Sequence, residues 1–225
     1  MTQPALLAVS HGTSDAAGAA AIARLVDRVR AALPDIDVHE AFVDVQQPEA
    51  ASALAALDGP VVVVPLLLSS GFHVSVDIGS LAREDVAIAP PLGPDERLAV
   101  VLARRLSEAA PASEPEVVLA VAGSRDPASE RDADAIGGLL AARLGRPVAV
   151  AYLAAREPRL TDAVAQHPDA VVASYLLAHG FFHDLAVRQV AGHTVTEPLL
   201  DDRDAPDELV ELVVARYRDA AGRLG

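Results

Sequence analysis

The chain repeats itself, and a duplicated chain must fold as two copies of one unit. Leu6-Leu7-Ala8-Val9-Ser10-His11-Gly12-Thr13-Ser14-Asp15 aligns with Val117-Val118-Leu119-Ala120-Val121-Ala122-Gly123-Ser124-Arg125-Asp126 at an offset of 111 positions. Ala41-Phe42-Val43-Asp44 pairs with Ala151-Tyr152-Leu153-Ala154, and Pro48 with Pro158. Leu67-Leu68-Ser69-Ser70-Gly71-Phe72-His73 then pairs with Leu176-Leu177-Ala178-His179-Gly180-Phe181-Phe182, and Pro91-Leu92 with Pro198-Leu199. The offset drifts only from 111 to 107, so few loop insertions separate the copies. A Pro/Ser/Glu-rich stretch at 110–115 marks the joint, which predicts one domain over 1–112 and a second over 113–225.

Each copy reads as strand, helix, strand, helix, strand, short strand and helix. In the first, the apolar run 6–10 suits a buried parallel strand. Asp15 is placed to cap a helix over 16–32, whose apolar Ala19, Ile22, Leu25, Val26 and Val29 recur at helical spacing before Pro34 ends it. The segment 38–45 is the second strand, Pro48 opens a helix to Leu57, and 61–67 is the third strand. Helices over 95–109 and 206–220 close the two copies. Alternating strands and helices make parallel βαβ units. The expected fold is therefore α/β, two tandem doubly wound parallel-sheet domains.

Composition narrows the function. Hydrophobic residues make up 52% of the chain but only four are Phe and three Tyr, with no Trp, so the interior is aliphatic. The absence of cysteine excludes disulfides, thiolate nucleophiles, Cys-type zinc sites and iron–sulfur clusters. All 18 basic residues are Arg, which excludes Schiff-base chemistry on a lysine, and the net charge of −14 argues against nucleic acid or an anionic membrane as partner. The N-terminus has no basic flank for a signal peptide, and apolar runs such as 61–68 are too short to span a bilayer. A cytoplasmic protein is expected.

Ligands of open parallel sheets bind beyond the carboxyl ends of the strands. His11 follows strand one, Asp44 ends strand two and His73 lies just past strand three. In a 2-1-3 strand order these ends are neighbours. Two imidazoles and a carboxylate suit a first-row divalent ion with open coordination positions. The repeat supplies an internal control, because the matching positions are Ala122, Ala154 and Phe182. The scaffold is kept while all three polar groups differ together, which points to a single active site in the first copy. The other histidines carry less. Parity turns His39 away from Asp44, His167 precedes Pro168 in a loop, and His193 reads as a surface strand residue. His179 and His183 flank the loop matching that of His73, and His183 is expected to reach the ligand if the two clefts face each other.

Taken together, Ser10-His11-Gly12-Thr13, Ala41-Phe42-Val43-Asp44 to Pro48, and Pro65-Leu66-Leu67-Leu68-Ser69-Ser70-Gly71-Phe72-His73-Val74-Ser75-Val76-Asp77-Ile78 resemble the sirohydrochlorin chelatases, class II chelatases with cobalt- and iron-inserting members. The likeness spans essentially the whole chain. It implies that His11 and His73 bind the metal and that Asp44, where the family usually has Glu, is the acidic residue, one methylene shorter. Ala122 to Asp126 resembles a His-Gly-Ser-Arg-Asp segment that has lost its histidine. The implied reaction inserts Co²⁺ or Fe²⁺, with Ni²⁺ a further possibility, into sirohydrochlorin without any nucleotide; no Gly-x-x-x-x-Gly-Lys loop is present. Ser10, Gly12, Ser70, Gly71, Phe72 and His183 are expected to line the substrate cleft, with Arg125 and Arg188 as candidates for the eight substrate carboxylates. A duplicated chain supplies its own second wall, so a monomer is expected.

Two rivals stand beside this reading. Histidine phosphatases begin with a strand running into Arg-His-Gly, but here Ser10 replaces the phosphate-binding Arg. A metal or tetrapyrrole carrier without catalysis would bind metal stoichiometrically and not turn over.

Overall fold

The computed structural model describes residues 3–70, 78–109 and 114–224. Strands β1 (Ala5–Ser10), β2 (Val38–Phe42), β3 (Val61–Pro65) and β4 (Val86–Ile88) form one parallel sheet in the order β2-β1-β3-β4. Strands β5 (Val117–Val121), β6 (Val148–Tyr152) and β7 (Val171–Tyr175) form a second, ordered β6-β5-β7. The helices are α1 (Ala16–Ala32), α2 (Ala50–Ala55), α3 (Glu96–Ala109), α4 (Pro127–Leu144), α5 (Leu160–Gln166), α6 (Phe181–Gln189) and α7 (Asp207–Ala221). The α/β reading and the 2-1-3 strand order hold in both copies. None of the described helices is long and apolar enough to cross a membrane.

The duplication extends to the register. Ser10 lies opposite Phe42 as Val121 lies opposite Tyr152. Helix α1 starts where expected, with Asp15 Oδ1 accepting the Gly18 N–H at 2.7 Å, and α4 starts on Asp126 in the same way through Ala128 N–H at 2.8 Å. The second strand is shorter than the sequence suggests. After Phe42 the chain leaves the sheet in a tight loop with Val45 at φ 64°, and Ala155 repeats that turn at φ 63°.

The two copies are not separate bodies. The outer faces of the sheets are closed within each half. Leu7, Val9, Val61 and Val63 pack under α2 and Ile78, and Val118, Ala120 and Val172 pack under α5 and α6. The inner faces share one core. Leu6, Ala8, Val62 and Val64 from the first sheet and Val117, Leu119, Val171 and Ala173 from the second join residues of α1, α3, α4 and α7 in a single apolar cluster. Within it the last helices are exchanged: α7 packs on β3, β4 and α1, and α3 packs on β7 and α4. Each fully buried Leu or Val here contributes about 1.5–3 kcal/mol, so the exchange ties the halves together strongly.

A matched pair of arginines fastens the exchanged helices. Arg105 of α3 donates to the carbonyls of Pro198 (3.0 Å) and Leu199 (3.1 Å) and meets Asp201 at 2.8 Å. Arg216 of α7 donates to the carbonyls of Pro91 (3.0 Å) and Leu92 (3.0 Å) and meets Asp95 at 3.5 Å. Asp95 and Asp201 each also hold the arginine two residues on, Arg97 and Arg203. Burial works against the Asp95 carboxylate, but the Arg97 guanidinium and backbone N–H hold its pKa below the usual range. Tyr175 adds a buried bond from β7 to the Leu68 carbonyl of the other half, at 2.9 Å.

Candidate metal and substrate cleft

The site grows from the ends of β1 and β2. Past the strands the ladder continues as Val43 N–H to the Ser10 carbonyl (2.9 Å) and Asp44 N–H to the His11 carbonyl (3.0 Å). This zips the His11 loop to the Asp44 loop. Gly12 is obligatory at this junction. Its φ is 89°, and a Cβ would stand 2.2 Å from the Asp44 carbonyl oxygen. The clip is completed by Thr13 N–H donating to Gln46 Oε1 at 2.9 Å. Gln46 is a positioning residue that sequence reasoning misses, since one glutamine in a polar turn gives no periodic signal.

His11 and Asp44 thus sit on adjoining loops, and both side chains are exposed. Asp44 Oδ1 accepts the Val45 N–H at 2.7 Å, the Gln46 N–H bonds the Asp44 carbonyl at 2.6 Å and so closes the turn around Val45, and Oδ2 makes no hydrogen bond among the described residues. A β-branched residue at positive φ is strained by about 1–3 kcal/mol. The direction of the Asp44 carboxylate is set by its bond to the Val45 N–H. His73, with Gly71 and Phe72, lies outside the described residues, and among those described no three His, Asp or Glu side chains form a metal-binding group.

The second copy keeps this loop architecture with alanines, Ala122 and Ala154, at the positions of His11 and Asp44. Leu153 N–H bonds the Val121 carbonyl (2.9 Å) and Ala154 N–H the Ala122 carbonyl (3.1 Å). Gly123 has φ 88°, and a Cβ there would lie 2.1 Å from the Ala154 carbonyl oxygen. Where the first copy has Gln46, Arg156 instead donates to the carbonyls of Ser124 (2.5 Å), Arg125 (3.2 Å) and Asp126 (2.8 Å), sealing the loop.

The two halves meet beside these loops. The His179 carbonyl lies where a Cβ on Gly18 would be 2.1 Å away, so only glycine admits that approach to α1. Gly180 stands against Thr13, with 3.0 Å from its Cβ position to Oγ1. Reciprocally, Ser70 N–H donates to Asp132 Oδ2 of α4 at 2.7 Å, so its backbone is already engaged with the second half.

Two expected cleft residues are corrected by burial. Ser10 is 1% exposed, because strand parity turns it inward with Leu6 and Ala8. His183 is also buried; its Nε2 lies 3.3 Å from the Thr196 carbonyl and its ring packs edge-on against His179 at 4.6 Å. Burial and the neighbouring His179 lower its pKa, against an upward pull from the Thr196 bond. His179 itself is partly exposed and 2.7 Å from Glu197. Arg125 and Arg188 are exposed, and neither guanidinium has a hydrogen bond or ion pair among the described residues. His39 pairs with Asp37 and His167 with Glu116, both away from the cleft. His193 lies in the turn after α6, not in a strand.

Comparison with known proteins agrees with the duplicated architecture. The family model described as CbiX matches twice, over residues 5–109 and 116–219. The sirohydrochlorin ferrochelatase of Priestia megaterium is 30% identical over 174 residues, which are 70% of this chain and 65% of that protein, so the match spans just under two thirds of its length. The sirohydrochlorin cobaltochelatase of Methanosarcina acetivorans is 25% identical over 123 residues, 46% of this chain but 95% of that one. Among solved structures, the cobalt complex of the sirohydrochlorin chelatase SirB from Bacillus subtilis subspecies spizizenii superimposes with a TM-score of 0.82 at 21% identity, covering 98% of this chain and 96% of that one. A CbiX structure from siroheme biosynthesis in denitrifying bacteria gives 0.72 at 19% identity, covering 96% and 99%.

Proposed function

The chain belongs to the CbiX family, and we propose that it inserts a divalent metal ion, Co²⁺ or Fe²⁺, into sirohydrochlorin. One observation carries the assignment of the site to the first half. The zipped loops and their glycines are duplicated, whereas a histidine and a carboxylate stand on them only at His11 and Asp44, with alanines at 122 and 154. A role in folding alone would use the same side chains in both copies.

In this reading His11 and His73 take the incoming ion, and Asp44 approaches it with the oxygen that Val45 leaves free. Few protein ligands hold the ion loosely enough for transfer, and imidazole suits all the candidate metals. Insertion requires the two pyrrolic N–H protons of the macrocycle to leave as the four nitrogens bind the ion. A neutral imidazole or the Asp44 carboxylate accepts them. The walls of the cleft supply the rest by favouring a bent macrocycle whose lone pairs point at the metal, a form closer to the transition state than the flat ring. Arg125 is available for substrate carboxylates, its guanidinium being exposed and unpaired among the described residues. Because the exchanged helices make the two halves one body, a monomer suffices.

The test is anaerobic visible spectroscopy of sirohydrochlorin with Co²⁺ and then Fe²⁺, comparing wild type with His11→Ala and His73→Ala. Metal insertion is expected to be faster than in buffer and to fall by at least about 100-fold in either variant. A wild type no faster than buffer that still binds metal stoichiometrically would make the protein a carrier.

A further inference from the structure

Aromatic residues are scarce in this chain, seven in 225, yet two adjacent ones are left in solvent. Phe181 is 68% exposed and Phe182 38%, at the first turn of α6, their rings edge-to-face at 5.4 Å. Isolated exposed apolar residues are ordinary, but a paired and rigidly placed aromatic surface beside the loop of His11 points to a ligand. The placement is fixed by the glycine contacts described above. Gly180, at φ 149°, is pressed on Thr13, and the His179 carbonyl is pressed on Gly18, so the start of α6 is docked onto the loop that carries His11.

The same helix carries a charge at a related position. Arg188 follows Phe181 by seven residues, two helical turns, which returns it to the same face about 10 Å along the axis. Its guanidinium is exposed and unpaired among the described residues. An apolar ring face and a free guanidinium on one helix match a ligand that is flat in its middle and anionic at its rim.

We infer that the Phe181 face of α6 is the second half's substrate wall, on which the tetrapyrrole stacks while Arg188 takes a peripheral carboxylate. This inference rests on the chelatase reading and deepens it. It assigns a role to the half that has alanines where the first has His11 and Asp44: recognition of the macrocycle, with metal handling left to the first half. Stacking uses the ring's apolar area and quadrupole, and a guanidinium–carboxylate bond is charge-assisted.

The experiment is a visible-band titration of metal-free sirohydrochlorin onto the full chain, with steady-state insertion kinetics alongside. Phe181→Ala is expected to raise Kd and KM about tenfold with kcat little changed, and Phe181→Tyr to restore binding. Arg188→Ala is expected to weaken binding several-fold and to reduce its dependence on salt. Val187→Ala, on another flank of α6, is expected to bind as wild type does. Unchanged Kd and KM in Phe181→Ala would overturn the inference while leaving the chelatase reading intact, since wild type would still insert metal. A wild-type dimer that Phe181→Ala converts to a monomer, with substrate affinity unchanged, would show the patch to be an interface between copies and would also overturn it. A wild type that neither binds nor metallates sirohydrochlorin would remove both.

Discussion

Replacing Arg105 with alanine tests whether the exchanged helices hold the molecule together. The side chain is 3% exposed and bonds the Pro198 and Leu199 carbonyls, Asp201 and Glu108. Truncation strands two carbonyls, each worth about 1–3 kcal/mol when left unsatisfied in the interior. Breaking a buried ion pair from one side costs about 3–5 kcal/mol. These overlap, because Asp201 keeps Arg203 at 2.6 Å and is not left without a cation. We therefore expect a loss of about 4 kcal/mol. Its pseudo-symmetric partner gives the comparison. Arg216 is 17% exposed, and its ion pair with Asp95 is longer, so solvent screening reduces the cost of Arg216→Ala to about 2 kcal/mol. The assay is thermal and urea unfolding followed by far-UV circular dichroism, there being no tryptophan to report. For a chain of this size a loss of about 4 kcal/mol corresponds to a fall in Tm of roughly 8–16 °C. A single transition is expected in both variants. A loss below about 1 kcal/mol in Arg105→Ala, or equal losses in the two, would refute the argument.

Two further predictions use the site and its neighbours. Gly12→Ala and Gly123→Ala meet the same obstacle, a carbonyl oxygen at 2.2 and 2.1 Å from the new Cβ with φ near 90°, so each is expected to lose about 2–3 kcal/mol. Only Gly12→Ala displaces Asp44, and only it is expected to abolish metal insertion; equal activity losses would place the site elsewhere. His183 concerns pH. Its folded pKa lies below the unfolded value of about 6.5, because burial disfavours the cation. Between those two values the unfolded chain binds more protons, so the stabilisation is complete above about pH 6.5 and is lost as pH falls through the folded pKa. His183→Phe is expected to lose less Tm than wild type between about pH 7.5 and 5.5, and a parallel decline in the two would count against this.

Much of the fold is legible in the sequence because it is local. Strand runs, the Asp15 cap and the repeat all act within a few residues, and parallel connections leave little choice of strand order. The helix exchange is not local. Buried Leu98 and Leu102 in α3, and Leu209, Leu212 and Val213 in α7, mark amphipathic helices, but nothing in their spacing says which sheet they cover. Arg105 and Arg216 match at offset 111, and this is the readable trace of the exchange. That His11 and Asp44 stand on adjoining loops is readable from their strand-end positions. Ser10 and His183 mislead for opposite reasons: Ser10 obeys strand parity into the core, and His183 is drawn inward by the Thr196 carbonyl.

The exchange also constrains the order in which the chain can finish folding during synthesis. When the first half has left the ribosome, its sheet and the loops of His11 and Asp44 are complete in sequence, but the inner face of β3 and β4 awaits α7, which is made only after the second sheet. Cutting the gene at the 110–115 joint would accordingly yield two sticky fragments, each lacking a helix and carrying one that belongs to the other. Co-expressed, those fragments would find each other.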